Sequence, residues 1–181
     1  MTFNTDALRG LLDAESGLYS PSRWTVFLPS ISGKTKVNGG GVGDYNTDDL
    51  NLVCTNARVP GKNVRTIERN MGVSQRVAVG FEPGEATFSF YLSNQFTARK
   101  YFQDWMDTVI SREGSFDVGF FDDYKADIKV ETRDKLDQVV YTTTLQDCFP
   151  VTLNEIELNN QAQQAASELT VNIAFKNYVV T

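Results

Sequence analysis

The sequence predicts a mainly β domain of the α+β class, an antiparallel β-sandwich or partly closed barrel with one α-helix packed against it. Three observations carry this. Apolar and polar residues alternate in several separate runs, the period of half-buried strands. Only one long stretch has helical period. Strands and helices never alternate as a parallel sheet requires. The 181 residues make one domain, 1–181, and a hydrophobic content of 41% is enough to bury a core.

The elements follow in order. Thr5 to Ala14 reads as a short helix, with Thr5 as cap and Leu8, Leu11 and Leu12 as its apolar stripe. Arg23 to Ile31 reads as a strand, with Trp24, Val26 and Leu28 on one face and Phe27 on the other. Residues 32–49 hold Gly33, Gly39, Gly40, Gly41 and Gly43 among polar residues without periodicity, so a flexible Gly-rich loop is expected. Leu50 to Arg58 reads as a strand, closed by the turn Val59-Pro60-Gly61. A hairpin over 60–81 follows, with Asn70-Met71-Gly72 as its connection.

Ala86, Phe88, Phe90 and Leu92 form a strong strand. Ser93 or Asn94 is then expected to cap a helix running to about Ile110. Its apolar face is Ala98, Phe102, Trp105, Met106 and Val109, read as packing on a sheet. Ser115 to Asp123, with Phe116, Phe120 and Phe121, reads as a loop or short strand. Ala126, Ile128 and Val130 alternate with charged residues. After the polar turn Arg133 to Asp137, Val139, Tyr141, Thr143 and Leu145 do the same, and Pro150 is expected to end that strand. Leu169, Val171, Ile173 and Phe175 make the last strand, for a tally of about seven strands and two helices.

Composition restricts function. The net charge of -6 argues against wrapping nucleic acid by neutralising its phosphates. The chain has no histidine, which removes the usual acid-base residue and the commonest metal ligand. No run is apolar enough for a membrane anchor, and Met1 to Gly10 lacks the pattern of a signal peptide, so a protein made in the cytoplasm is expected. Cys54 and Cys148 make no metal pattern; reduced thiols are the expectation, and their pairing stays open.

Chemistry-bearing patterns are weak. The glycine-rich loop has no Gly-Lys-Ser/Thr ending and no GxGxxG leading into a helix. Asp122, Asp123, Asp127 and Glu131 lack calcium-loop spacing and interleave with Lys125 and Lys129, so a solvated mixed-charge face is the preferred reading. Glu155 and Glu157 share a strand face, but nothing places a second carboxylate across a cleft from them. No catalytic, cofactor or metal residue is assigned. The hairpin is different: Lys62, Arg65, Arg69 and Arg76 against Glu68 leave +3, so the rest of the chain carries -9. A basic, weakly apolar hairpin is a solvated arm or a docking arm.

The order of elements resembles the tail tube proteins of contractile-tailed phages. The resemblance rests on Pro21-x-Arg23-Trp24-x-Val26-x-Leu28, Val59-Pro60-Gly61 before a long hairpin, and Arg99-Lys100-Tyr101-Phe102-Gln103-Asp104-Trp105 on the helix. Tyr124-Lys125 opening a strand pair, Phe149-Pro150-Val151 and Glu155-Ile156-Glu157-Leu158 extend it to about Val179. It implies a non-enzymatic subunit of a hexameric ring with a continuous inner β-barrel, stacked into a conduit for DNA ejection. It also implies the type VI secretion tube fold, assembly in the host cytoplasm and a place in the virion tail. The implied partners are further copies of the chain, sheath, baseplate and terminator proteins and a tape-measure protein in the lumen, with DNA passing without specific binding. By the family's pattern the hairpin is the inter-ring stacking arm, through Lys62, Arg65, Ile67, Arg69, Met71, Val73, Arg76 and Val79. A baseplate tube initiator of the same fold is the nearest alternative, and a carbohydrate-binding or hydrolytic β-sandwich the unlike one.

Overall fold

The computed structural model describes residues 21–37, 40–82, 84–110, 117–156 and 167–181. The helix expected over Thr5–Ala14 lies outside them, as do Glu157 and most of the polar connection 159–167. Nine strands and three helices occur among the described residues, every strand pair antiparallel. They are β1 (Trp24–Phe27), α1 (Thr47–Leu52), β2 (Cys54–Arg58), β3 (Asn63–Met71), β4 (Val73–Glu82) and β5 (Glu85–Tyr91). Then come α2 (Thr97–Val109), α3 (Phe121–Tyr124), β6 (Ala126–Arg133), β7 (Val139–Leu153), β8 (Glu168–Ala174) and β9 (Asn177–Val180). Seven strands form one sheet in the order β1-β6-β7-β8-β5-β2, with β9 also on β7, while β3 and β4 pair only with each other. The sheet curls without closing, and its two edges, β1 and β2, face each other across a cleft.

Alternation translates directly into burial along β5 and β8. Ala86, Phe88 and Phe90 turn inward, and so do Leu169, Val171 and Ile173. They are matched in register as Ala86↔Ile173, Phe88↔Val171 and Phe90↔Leu169, so same-face pairs meet across the ladder.

The sheet turns a corner inside β7. Residues up to Cys148 pair with β6 and β9, and Phe149 onward pairs with β8. Asp147 sits between them at φ 54°, a left-handed conformation that Asp tolerates better than most side chains. Its N–H donates to Asp127 Oδ1 at 2.9 Å, and its carboxylate meets Lys125 at 3.2 Å and Lys176 at 3.7 Å. The inward phase slips there, from Thr143 and Leu145 to Cys148 and Pro150. Pro150 therefore does not end the strand. It lies at a bulge before Thr152, in the half of β7 that pairs only with β8 among the described residues, where a missing donor is tolerated.

The helix expected after β5 is α2, but it starts later. Phe96, at φ 56°, occupies the N-cap with no side-chain hydrogen bond, in place of Ser93 or Asn94. Phe102 and Trp105 are fully buried, with Ala98, Tyr101 and Thr108 beside them. Met106 and Val109 are only half-buried. The buried arc is turned because α2 is covered on a second side: Val37 N–H donates to Asp107 O, and Tyr45 meets Tyr101 edge-on at 5.6 Å. Gly119 also lies so close that a β-carbon there would fall 2.6 Å from Thr108 O. Inside, Phe102 packs on Phe90 at 5.1 Å, Trp105 Nε1–H donates to Tyr124 O at 2.8 Å, and Tyr101 Oη–H donates to Pro29 O at 2.6 Å.

Two other expectations are corrected. Leu50 to Leu52 belongs to α1 rather than to a strand, because the Asn46 side chain accepts from Asp48 N–H and starts a helical turn; β2 begins only at Cys54. Residues 121–124 form a short helix where a loop or short strand was expected.

Candidate functional site

The hairpin stands apart from the core. Its strands meet in register from Asn63↔Glu82 to Met71↔Val73, with Gly72 at φ 85° forming the apex. Nine residues of β3, at ~3.4 Å each, carry the tip about 30 Å along the strand from its base. Every described side chain from Gly61 to Glu82 is exposed. The base touches the body where Phe81 meets Tyr178 at 6.2 Å.

Register divides the hairpin into two faces, since directly opposed residues point the same way. One carries Arg65, Ile67 and Arg69 opposite Gly80, Val77 and Gln75. The other carries Val64 opposite Phe81 and Glu68 opposite Arg76, whose side chains form an ion pair at 3.3 Å. Arg76 is thus neutralised within the hairpin, while Arg65 and Arg69 have no acidic partner among the described residues. Val79 is the extra residue of a bulge opposite Arg65/Thr66. Lys62 lies just before β3, and Val73, at the tip, is 73% exposed. The Met71 side chain lies outside the described residues.

The carboxylates weighed as a metal site are engaged separately. Asp122 pairs with Lys125 at 2.8 Å, Asp127 accepts from Asp147 N–H, and Glu131 lies between Lys129 at 2.6 Å and Arg133 at 3.4 Å. The Lys125 contact holds Asp122 below the usual carboxylate range. Cys54 and Cys148 are free thiols, each pushed up to about 12 by burial. Among the described residues no helix is long and apolar enough to cross a membrane.

The described residues of 32–49 are strapped across α2. Asp104 accepts from Lys36 Nζ at 2.6 Å, Tyr45 Oη at 2.7 Å and Gly43 N–H at 3.2 Å. Burial pushes the Asp104 carboxyl up, but these three donors outweigh it and hold it below its ordinary value. Burial, reinforced by the Asp104 contact, pushes the Tyr45 hydroxyl well above its own. Lys34 Nζ caps the carbonyls of Asp123 and Lys125 at 2.9 and 2.8 Å.

The described residues thus make a half-open antiparallel barrel flanked by α2, with a projecting hairpin. The family model for phage tail tube proteins matches residues 19–181. The chain belongs to the phage tail tube protein family. This tail tube protein is accordingly a structural component of a virion tail. A search of curated protein sequences returns no match. Among solved structures, the tube terminating cap of the anti-feeding prophage matches with a TM-score of 0.60 at 13% identity, covering 91% of each chain. A chain of the PVC sheath-tube complex, an extracellular contractile injection system in its extended state, matches at 0.59 with 12% identity over 99% of each. The PVC sheath/tube terminator matches at 0.59 with 12% identity, covering 91% of this chain and 96% of that one. At these identities the likeness is one of fold.

Sequence reasoning missed two features of the tail tube protein. The strap joins Lys36 to Asp104, 68 residues apart, and no local pattern announces such a pair. The cleft between β1 and β2 arises from curvature, which alternation does not encode.

Proposed function

We propose that this tail tube protein forms six-membered rings that stack into the conduit for DNA ejection, with the hairpin over 60–81 as the inter-ring arm. One observation carries the reading. The hairpin exposes every described side chain from Gly61 to Glu82, Val64, Ile67, Val73, Val77, Val79 and Phe81 among them. A two-stranded sheet is marginal in water by itself, and apolar side chains in such number along an arm call for cover. Its +3 balance, left to Lys62, Arg65 and Arg69 once Arg76 pairs with Glu68, steers it toward the acidic body of a neighbour, which carries the balance of the -6 net charge.

In this reading no step is catalytic. The lumen carries DNA without specific binding and a tape-measure protein, sheath proteins surround the tube, and baseplate and terminator proteins close its ends. Subunits assemble in the host cytoplasm. A second reading, an initiating or capping ring, has the support that the prophage tube terminating cap matches as well as the chain of the PVC sheath-tube complex, at TM-scores of 0.60 and 0.59.

Deleting Gly61 to Gly80 and joining the ends by a short glycine-serine link tests the arm. The expected product is a folded subunit that forms no stacked tubes by electron microscopy. Tubes of normal length from that variant would refute the role. Indefinite self-stacking of the intact chain separates a tube from an initiator or cap, which stops after one ring.

A further inference from the structure

The barrel is open where β1 and β2 fail to meet. Each of these strands pairs on one side only among the described residues, β1 with β6 and β2 with β5. Between them lies a cleft of about 700 Å³, lined by Trp24, Phe27, Asp48, Leu52, Cys54 and Thr55 among others. Open strand edges beside apolar surface are a template for another chain. Leu52 is 85% exposed at the cleft rim, an unusual place for leucine at the end of a helix that buries Leu50.

We propose that this cleft is the seat of the hairpin from a second copy of the chain. The inference rests on the reading of the hairpin as a stacking arm, and it names where the arm docks. Topology is the first support. β2 is entered from α1 and left toward the hairpin, so cleft rim and hairpin lie at opposite ends of one five-residue strand. A contact between them joins two copies head to tail and leaves each copy one free arm and one free cleft. That is a heterologous interface, which propagates.

Chemistry is the second support. Residues 37–57 contain Asp44, Asp48 and Asp49 and no Lys or Arg. Neither Asp48 nor Asp49 has a basic partner among the described residues; Asp49 accepts only from Asn46 Nδ2. The hairpin face bearing Arg65 and Arg69 has the Ile67–Val77 pair between them; its acid, Glu82, stands at the base opposite Asn63, and neither arginine has an ion pair among the described residues. Cleft and arm therefore match in both respects: Ile67 and Val77 lie against Trp24, Phe27 and Leu52, and the two arginines reach Asp48 on the rim and Asp49 beside it on α1. Like charges at such a contact are strongly unfavourable, so the pairing also selects the direction of stacking.

Charge exchange is the test. The chain carrying Asp48→Lys and Asp49→Lys should remain folded by circular dichroism yet need about tenfold or more protein to form tubes, a shift typical of losing a close charge pair. The chain carrying Arg65→Glu and Arg69→Glu should behave alike. Combining all four substitutions in one chain should restore assembly to near the original concentration. Because the lysines also weaken the first turn of α1, Leu52→Ser serves as a second variant that leaves helix and charge intact, and it too should raise the assembly threshold. Wild-type assembly by the lysine and serine variants would overturn the docking site, and so would failure of the folded fourfold variant to recover. If deletion of the hairpin blocks stacking while these variants assemble normally, the arm docks elsewhere and only this inference fails. If the deletion variant still stacks, the arm reading itself fails.

Discussion

The layer around α2 and the β3–β4 hairpin use similar side chains to opposite ends. In the first, Phe88, Phe90, Tyr101, Phe102 and Trp105 are all essentially inaccessible to water, and their polar atoms are satisfied, as at Trp105 Nε1 and Tyr101 Oη. In the second, Val64, Ile67, Val77 and Phe81 all face solvent. Burial of apolar area is the main favourable term in folding, so the subunit's stability resides in the first region. The second contributes little until another surface covers it. One region makes the fold, and the other is the arm proposed to join one copy to the next.

Substitutions should fall into two columns accordingly. The largest effect is expected at Trp105, where Trp105→Ala should cost ~3–5 kcal/mol by chemical denaturation, from lost burial and cavity formation. A cost below about 1 kcal/mol would mean the α2 layer is not the core. At the corner, Asp147→Val places a β-branched residue at positive φ and removes both lysine contacts, for a loss of about 1–2 kcal/mol or slightly more. Next comes the strap: Asp104→Asn should cost about 1 kcal/mol, given its three hydrogen bonds and the screening at a part-exposed site. That corresponds to a melting temperature lower by roughly 2–4 °C.

The strap also has a pH signature. Because the Asp104 carboxyl is held below its unfolded value, its contribution is fully present above that value and is lost as pH falls through the folded one. The melting-temperature gap between wild type and Asp104→Asn should stay constant from about pH 8 to 5 and close below about pH 4. A gap that instead closed as pH rose would assign the effect to another group. The smallest effect on folding is expected in the arm. Ile67→Ala should change subunit stability by less than about 0.5 kcal/mol and yet weaken assembly. A folding cost of about 2 kcal/mol would place the hairpin in the core and dissolve the contrast.

How far the sequence disclosed this division depends on the range of the forces involved. β5 and β8 were legible because a strand half-buried against one core must alternate, and both do. The hairpin itself was legible because Asn70-Met71-Gly72 offers a glycine-bearing connection between two long runs, and the two strands do pair across it. α1 was misread because Leu50 and Leu52 alternate as strand residues would, while the deciding contact, Asn46 to Asp48 N–H, is a capping bond that periodicity does not report. The turned face of α2 was hidden for another reason: Tyr101 and Thr108 are covered by segments distant in sequence. The corner at Asp147 looked like an ordinary polar position. A single residue at positive φ shifts the inward phase by one, so a regular pattern ran out near Pro150 and was taken for the end of a strand.

That bent strand has a consequence for synthesis. β7 is built from the middle of the chain, but its partners β8 and β9 come late, at Glu168–Ala174 and Asn177–Val180. Thr142 and Thr181 also exchange a pair of backbone hydrogen bonds at 2.9 Å. Chains grow at roughly 5–20 residues per second, so the hairpin, cleft and α2 leave the ribosome well before the strands that lock both halves of β7. A nascent chain thus has its β3–β4 hairpin before it has a finished body.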